Sequence, residues 1–299
     1  MTLPRPGDLA DLLRLPSLLS VPGDVLLGSV VSGERRSSRH LAGLVASSSC
    51  LYAAGMALND YADRDVDARE RPKRPIPSGR VSARFALGFA ATLTAASLVL
   101  AGAAGGRRSL TVAVPLAAAV WSYDLAAKET RWGPAVMAAC RSLDVMMGAG
   151  GLADRRAWPA AGVVGGHIAM ITTVSRRETE GGTKTLALGA LAGSTATTLA
   201  AAQLALEASE DAGILRRRIH GAVSLALLSV HAVEMVRAEL EAARQPSPEN
   251  LQKVVGAGVL GLMPLEAGML AGAGKPGLAA VLATGWRLAR RLARKRSVT

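Results

Sequence analysis

Long apolar blocks alternate with short charged clusters along this chain, and that pattern constrains its fold more than any other feature. Each block holds about twenty residues, enough for a helix to cross a bilayer. Hydrophobic residues make up 50% of the 299 residues, and the blocks are rich in Ala, Gly, Ser and Thr, which let neighbouring helices approach closely. The sequence therefore predicts an all-α, polytopic membrane protein that forms a single domain over residues 1–299.

About nine membrane-spanning helices are predicted from these blocks. They cover residues 15–31, 41–58, 83–104, 110–126, 133–153, 158–174, 186–206, 219–236 and 254–282. Gly and Pro at 272–277 would break or bend the last one, so that region could hold one span and a shorter piece. Basic residues favour a cytoplasmic position for the loop after the second span, in a protein of the cell membrane. The basic tail at 287–299 also favours the inside, which conflicts with an odd number of spans.

The formal net charge of +12 is compatible with two kinds of anionic partner. Nucleic acids attract basic proteins through their phosphate backbones. Here, however, the basic residues lie in the loops between apolar blocks and at the end of the chain, as in proteins that face anionic lipid. We therefore expect membrane lipids, and not nucleic acid, as partners.

Three aspartates, Asp60, Asp63 and Asp67, follow the second apolar block directly. On a helix, this spacing of three and four residues places them on one face. Carboxylates at the end of a membrane-length segment are costly to bury and usually mark a functional site. Clustered carboxylates repel one another unless a cation lies between them, and oxygen ligands suit Mg²⁺, which also binds substrate phosphates. The pattern predicts a magnesium site.

The motif Asn59-Asp60-x-x-Asp63-x-x-x-Asp67, followed by a basic, proline-rich stretch at 71–79, resembles the first signature of the UbiA superfamily of intramembrane prenyltransferases. Two weaker similarities follow in chain order. Tyr123 and Lys128 resemble the Tyr-x-x-x-x-Lys pattern of that superfamily, and the segment 141–148 resembles its Arg- and Asn-bearing segment. The resemblance implies a UbiA-type helical bundle.

The chain departs from the superfamily at the second signature, which usually reads Asp-x-x-x-Asp after the sixth span. The corresponding segment, 174–182, contains no aspartate. Ser175 and Thr179 occupy the two Asp positions, with Glu178 and Glu180 alongside. This variant is similar to the EboC-like branch of the superfamily, and it puts the second metal site in doubt.

The resemblance implies a transferase that moves a (poly)prenyl group from a prenyl diphosphate to a small acceptor of unknown identity, with Mg²⁺ as cofactor. Asp60, Asp63 and Asp67 would hold the metal. Residues expected to contact the diphosphate are Asn59, Arg74, Tyr123, Lys128 and Arg141. Glu178 would complete the metal shell or take the proton that the acceptor releases.

Each assignment has a plain structural alternative. The aspartates could be ordinary loop charges, and Lys128 could be an interfacial residue that extends its amine to the membrane surface. Arg141 could form an ion pair with Asp144, three residues on. Glu178 could be a solvated loop acid.

Two other functions also fit the resemblance. One is a UbiA-like terpene cyclase, although cyclases line their pockets with aromatic rings and aromatic residues make up only 3% of this chain. The other is a non-catalytic membrane protein that kept the fold, a hypothesis favoured by the altered second signature.

Overall fold

The computed structural model describes residues 4–208 and 213–294, and every regular element in these residues is helical. The elements are α1 (Pro6–Leu12), α2 (Leu15–Leu18), α3 (Val21–Val31), α4 (Ser38–Ala62), α5 (Arg64–Glu70), α6 (Ala83–Ser122), a π-helical turn (Tyr123–Ala127), α7 (Gly133–Ala149), α8 (Trp158–Ser175), α9 (Lys184–Glu207), α10 (Ile214–Arg244), α11 (Pro248–Gly272) and α12 (Pro276–Ala293). The prediction of an all-α polytopic fold is confirmed.

Among the described residues, five helices are long and apolar enough to cross a membrane. They are α4, α6 with its π-helical turn, α9, α10 and α11. α6 bends at Gly106, whose φ of +62° suits glycine, so its two arms correspond to the third and fourth predicted spans. The number of nine spans stays a prediction.

α11 is the central helix of the bundle. Of its most apolar 18-residue window, 83% is buried inside the protein, against 22% for the windows of α9 and α10. α3, α8, α9, α10 and α12 surround it. A helix buried on all sides needs no polar face, and α11 is apolar over most of its length apart from Glu266, a carboxyl group that is completely buried.

The last predicted span, 254–282, divides into α11 and α12. This agrees with the alternative in which Gly and Pro at 272–277 separate one span from a shorter piece. Gly274 has a φ of +74°, and Pro276 begins α12. α12 returns antiparallel along α11, because Gly285 lies against Met263 and Ala289 packs near Leu260.

The antiparallel course of α12 bears on the tail at 287–299. Its first residues belong to α12, and Ala293 packs near Leu19, at the end of the bundle where α2 begins. The basic end of α12 therefore lies toward the end of the bundle that holds α2, and the side of the membrane on which the tail lies stays a prediction. Residues 295–299 of the predicted tail lie outside the described residues.

α3 and α7 cross with their backbones in contact. A Cβ atom on Gly28 would lie 1.8 Å from the carbonyl oxygen of Val145, and one on Gly148 would lie 2.1 Å from that of Val25. Only glycine permits such an approach, which is typical of closely packed membrane helices. This contact brings the first and fifth predicted spans together in the core.

Candidate active site

A cavity of about 1520 Å³ opens at the end of the bundle where α4, the π-helical turn and α8 end. Of the predicted site residues, all but Asp60 line it: Asn59, Asp63, Asp67, Arg74, Tyr123, Lys128, Arg141 and Glu178. Apolar side chains such as Ile168, Ile171 and Leu262 line its deeper part. The cavity thus joins a charged wall at the ends of α4 and α8 to a mostly apolar wall, in which Arg141 is a buried charge.

Asp60 and Asp67 converge on the guanidinium of Arg74. Arg74 Nη1 lies 3.2 Å from Asp60 Oδ1 and 3.0 Å from Asp67 Oδ2. The side chains of both aspartates are almost completely buried, at 4% and 3% exposure. Buried carboxylates need a cationic partner, and here one nitrogen serves both of them.

Asp63 is directed away from the other two aspartates. α4 ends at Ala62, and α5 begins at Arg64, so the helix is interrupted at Asp63. The Asp63 carboxylate accepts a hydrogen bond from the amine of Lys128 at the end of the π-helical turn. This differs from the expectation that the three aspartates share one helical face, and among the described residues no three His, Cys, Asp or Glu side chains form a ready metal site.

Arg71 links the first signature to the altered second one. Its Nη2 donates to Glu178 Oε1 at 2.8 Å, while its Nη1 lies 3.9 Å from Asp67 Oδ1. Glu178 is buried, and its Oε2 accepts no hydrogen bond from the described residues. Glu178 is therefore not a solvated loop acid, and it lies one side chain away from Asp67.

Arg14 is a site residue that sequence reasoning missed. It has a φ of +45°, unusual for a residue other than glycine, in the turn between α1 and α2. Its Nη2 lies 2.9 Å from Asn59 Oδ1 and 3.3 Å from Asp60 Oδ1. Asn59 in turn donates to Asp124 Oδ1 at 3.2 Å. A lone basic residue just before the first span is normally interpreted as a charge that sets membrane orientation. Only the structure shows that Arg14 contacts Asn59 and Asp60.

Arg141 is buried in the core and pairs with Asp24 of α3, at 2.8 Å, and not with Asp144 as the structural alternative proposed. Asp24, Asp144 and Glu266 surround it, and all three carboxyl groups are buried. Charged residues inside apolar segments are a known sign of function, and this sign could have identified Asp24 and Glu266 from the sequence. Arg141 nevertheless lines the cavity, as does Tyr123.

The donor set at Asp60 and Asp67 fits a divalent cation. Arg74 occupies the position of a shared cation between two carboxylate oxygens, and oxygen ligands of this kind suit Mg²⁺. Burial, with the nearby guanidinium of Arg14, lowers the pKa of Arg74 below its ordinary value. A metal ion bound by these two carboxylates would compete with Arg74 for them, and the guanidinium would then be available to a bound anion.

The fold and this cavity define a helical membrane protein with an acid-rich and base-rich site at one end of its bundle. Residues 25–255 match the sequence profile of the UbiA prenyltransferase family. This match covers most of the chain, and the protein belongs to that family. The predicted resemblance is confirmed at the level of the superfamily, while its placement in the EboC-like branch stays a prediction.

Curated relatives match over shorter segments. A digeranylgeranylglyceryl phosphate synthase of Natronomonas pharaonis is 40% identical over 96 residues, which are 32% of this chain and 35% of that protein. A bacteriochlorophyll synthase 33 kDa chain of Cereibacter sphaeroides is 34% identical over 104 residues, 33% of this chain and 34% of that protein. The matched segments thus span about a third of the length of these relatives.

Solved structures match over nearly the whole chain. A UbiA homologue from Archaeoglobus fulgidus bound to GPP and Mg²⁺ aligns with a TM-score of 0.62 at 16% identity, covering 92% of this chain and 99% of that one. A UbiA homologue from Aeropyrum pernix aligns with a TM-score of 0.62 at 19% identity, covering 91% and 97%. At this level of identity, the likeness shows the fold alone.

Proposed function

We propose that the protein is a membrane-embedded prenyltransferase, which moves a (poly)prenyl group from a prenyl diphosphate to a small acceptor with Mg²⁺. The observation that carries this proposal is the single cavity that joins acidic and basic side chains at its mouth to apolar side chains at its depth. A prenyl diphosphate has the same division, a multiply charged head and a hydrocarbon tail. Relatives that bind GPP with Mg²⁺ or that are named as synthases of prenylated products support the proposal.

Asp60 and Asp67 would hold the metal, with Asp63 as a third ligand once Lys128 turns to the diphosphate. Bound Mg²⁺ would neutralise charge on the departing diphosphate. The basic residues expected to bind the diphosphate are Arg14, Arg71, Arg74, Lys128 and Arg141, all of which line the cavity. Asn59 would orient Arg14 and the head group. Each of these cations has a carboxylate or amide partner that it would share or exchange when the anion binds.

The deeper part of the cavity would exclude water from the prenyl cation that forms when the carbon–oxygen bond breaks. Electrostatic interactions are stronger in such a site than in bulk water, so the side chains around the diphosphate would act with greater effect on the departing charge. Tyr123, at the start of the π-helical turn, would contact the diphosphate or the face of the cation. Glu178 would serve as a base or a further metal ligand through its free Oε2.

We place the protein in the cell membrane with lipid around the bundle and the cavity mouth toward the cytoplasm. This placement rests on the basic loop at 61–84, which contains seven Lys and Arg residues: Arg64, Arg69, Arg71, Lys73, Arg74, Arg80 and Arg84.

The test uses purified full-length protein, Mg²⁺ and a labelled prenyl diphosphate. Product that depends on an added acceptor supports transfer, an acceptor-free hydrocarbon would support a cyclase, and binding without turnover would support a non-catalytic protein. Asp63→Asn should abolish turnover while the protein still inserts into membranes. Unchanged turnover in this variant would remove Asp63 from the metal site.

A further inference from the structure

We propose that Asp144 is the base that takes the proton of a hydroxyl-bearing acceptor, and that the acceptor's hydroxyl group enters a second, smaller cavity beside it. This inference rests on the proposed transferase function. The smaller cavity has a volume of about 160 Å³ and lies between α4, α6 and α7. Its lining includes Asp144, Ser48 and Asp124.

Asp144 is held in place with one oxygen free. Asp144 is only 5% exposed, and Ser48 Oγ donates a hydrogen bond to Asp144 Oδ2 at 2.5 Å. Its Oδ1 is buried and accepts no hydrogen bond from the described residues. A buried carboxylate oxygen without a donor is costly, so this position favours a ligand that brings an O–H or N–H group.

The small cavity adjoins the place where the diphosphate would bind. Asn59, Tyr123 and Arg141 line both cavities, so a molecule in the smaller one lies beside the head-group site in the larger one. An acceptor there would meet the prenyl carbon next to its departing diphosphate.

The free hydrogen-bonding groups of the small cavity favour a neutral hydroxyl over an anionic acceptor. Its two guanidinium groups, on Arg14 and Arg141, form ion pairs with Asp60 and Asp24, but Arg141 Nε is a buried donor with no acceptor among the described residues. Asp144 Oδ1, by contrast, is an acceptor without a donor. The hydroxyl group of an alcohol or phenol can satisfy both, because its hydrogen can be donated to Asp144 Oδ1 and its oxygen can accept from Arg141 Nε, whereas an anion brings no hydrogen.

The step balances as follows. The acceptor oxygen forms a bond to the first carbon of the prenyl group, while the bond from that carbon to the diphosphate breaks and its electron pair leaves with the diphosphate. The acceptor's proton moves to Asp144 Oδ1.

The experiment compares two acceptors that differ in their need for a base. Full-length protein in lipid nanodiscs receives Mg²⁺, labelled geranylgeranyl diphosphate and either phenol or 4-nitrophenol, at a pH where only 4-nitrophenol is ionised. Asp144→Asn keeps the shape of the side chain and its contact with Ser48. We expect transfer to phenol to fall about 100-fold, the scale of general-base catalysis, and transfer to 4-nitrophenolate to fall less than about fivefold.

Two further measurements complete the design. Binding of geranylgeranyl S-thiolodiphosphate should stay within about twofold of wild type in Asp144→Asn, because the donor site is unaltered. Ser142→Ala serves as the control on the same helix, since Ser142 donates to the Ala161 carbonyl at 2.9 Å and does not line the small cavity. This variant should match wild type with both phenols.

Three results would overturn the inference alone: undiminished transfer to phenol in Asp144→Asn, equal losses with the two phenols, or no product from either phenol while wild type still consumes the donor. Wild-type protein that neither binds nor consumes the donor would overturn the proposed function itself. The two failures are therefore distinguishable.

Discussion

Two groups of charged side chains in this protein differ in their ratio of carboxyl groups to cations. The mouth cluster contains four carboxylates and four cations: Asp60, Asp63, Asp67 and Glu178 with Arg14, Arg71, Arg74 and Lys128. The core cluster contains three carboxyl groups and one cation: Asp24, Asp144 and Glu266 with Arg141. A balanced group can receive a metal ion and a diphosphate together by exchanging partners, whereas a group rich in carboxyls needs protons to be stable in a buried place. In the proposed function, the mouth cluster would bind ions and the core cluster would handle protons.

The mouth cluster is tested most directly by Asp67→Asn. Loss of one carboxylate leaves Arg74 with a single partner and removes an oxygen from the proposed metal site. We expect Mg²⁺-dependent turnover to fall about 1000-fold, or about 4 kcal/mol in activation free energy, as measured with labelled donor and acceptor.

Asp65→Asn is the matched control for that change. Asp65 lies on the same helix, α5, but its side chain is 81% exposed. Turnover in this variant should stay near wild type. Similar losses in the two variants would mean that general negative charge on α5, and not the mouth cluster, supports activity.

The core cluster depends on the close crossing of α3 and α7, which Gly28→Ala would disturb. The added methyl would lie 1.8 Å from the Val145 carbonyl oxygen, so α3 must shift and carry Asp24 away from Arg141. Overpacking of this kind costs about 1–3 kcal/mol, and we expect a lower unfolding temperature in detergent.

Gly162→Ala provides the comparison, because a Cβ at Gly162 meets nothing within 4 Å and the residue lies inside α8. Its unfolding temperature should stay the same or rise slightly, since alanine favours helix over glycine. Equal behaviour of the two variants would contradict a tight α3–α7 contact.

The sequence predicted the mouth cluster better than the core cluster, for a physical reason. Asp60, Asp63 and Asp67 are close in sequence, so a short motif contains most of the information about their site. Asp24, Arg141 and Glu266 come from three helices that are far apart in the chain, and only the packing of glycine against backbone brings them together. Arg14 was missed for the same reason, since its partner Asp60 is 46 residues away.

Prediction of the membrane-spanning helices from the sequence is limited in the same way. Their apolar composition identified the long helices of the bundle, but the short helices α1 and α5, the bend at Gly106 and the antiparallel return of α12 depend on backbone conformation and on tertiary contacts. The direction of Asp63 toward Lys128 also depends on the interruption between α4 and α5, which the spacing of the aspartates does not reveal.

The edge of the mouth cluster is tested by Glu178→Gln. Glu178 lies next to Arg71 and not next to a proposed metal ligand, so we expect a loss of about tenfold in turnover, smaller than that of Asp67→Asn. Glu180→Gln is the control, because Glu180 is 69% exposed and pairs with Arg177 on the surface. A loss in Glu178→Gln as deep as that in Asp67→Asn would make Glu178 a direct ligand of the metal, and the absence of any loss would remove it from the proposed site.

The smallest effect is expected from an exposed ion pair at the rim of the bundle, which serves as a reference for the two buried clusters. Arg80 Nη1 donates to Asp8 Oδ1 at 2.7 Å, and this hydrogen bond lowers the pKa of Asp8 from its ordinary value of 3.8. A carboxyl whose pKa is lower in the folded state stabilises that state above its ordinary pKa, and the contribution disappears as the pH falls through the lowered value. Hydrogen exchange of α1 should therefore become faster in wild type as the pH falls below the ordinary value of 3.8 and through the lowered one, and it should change less in Asp8→Asn. An identical response in both proteins would show that this exposed pair does not hold α1 in place, and turnover should be unaffected in either case, because Asp8 lies outside the cavity.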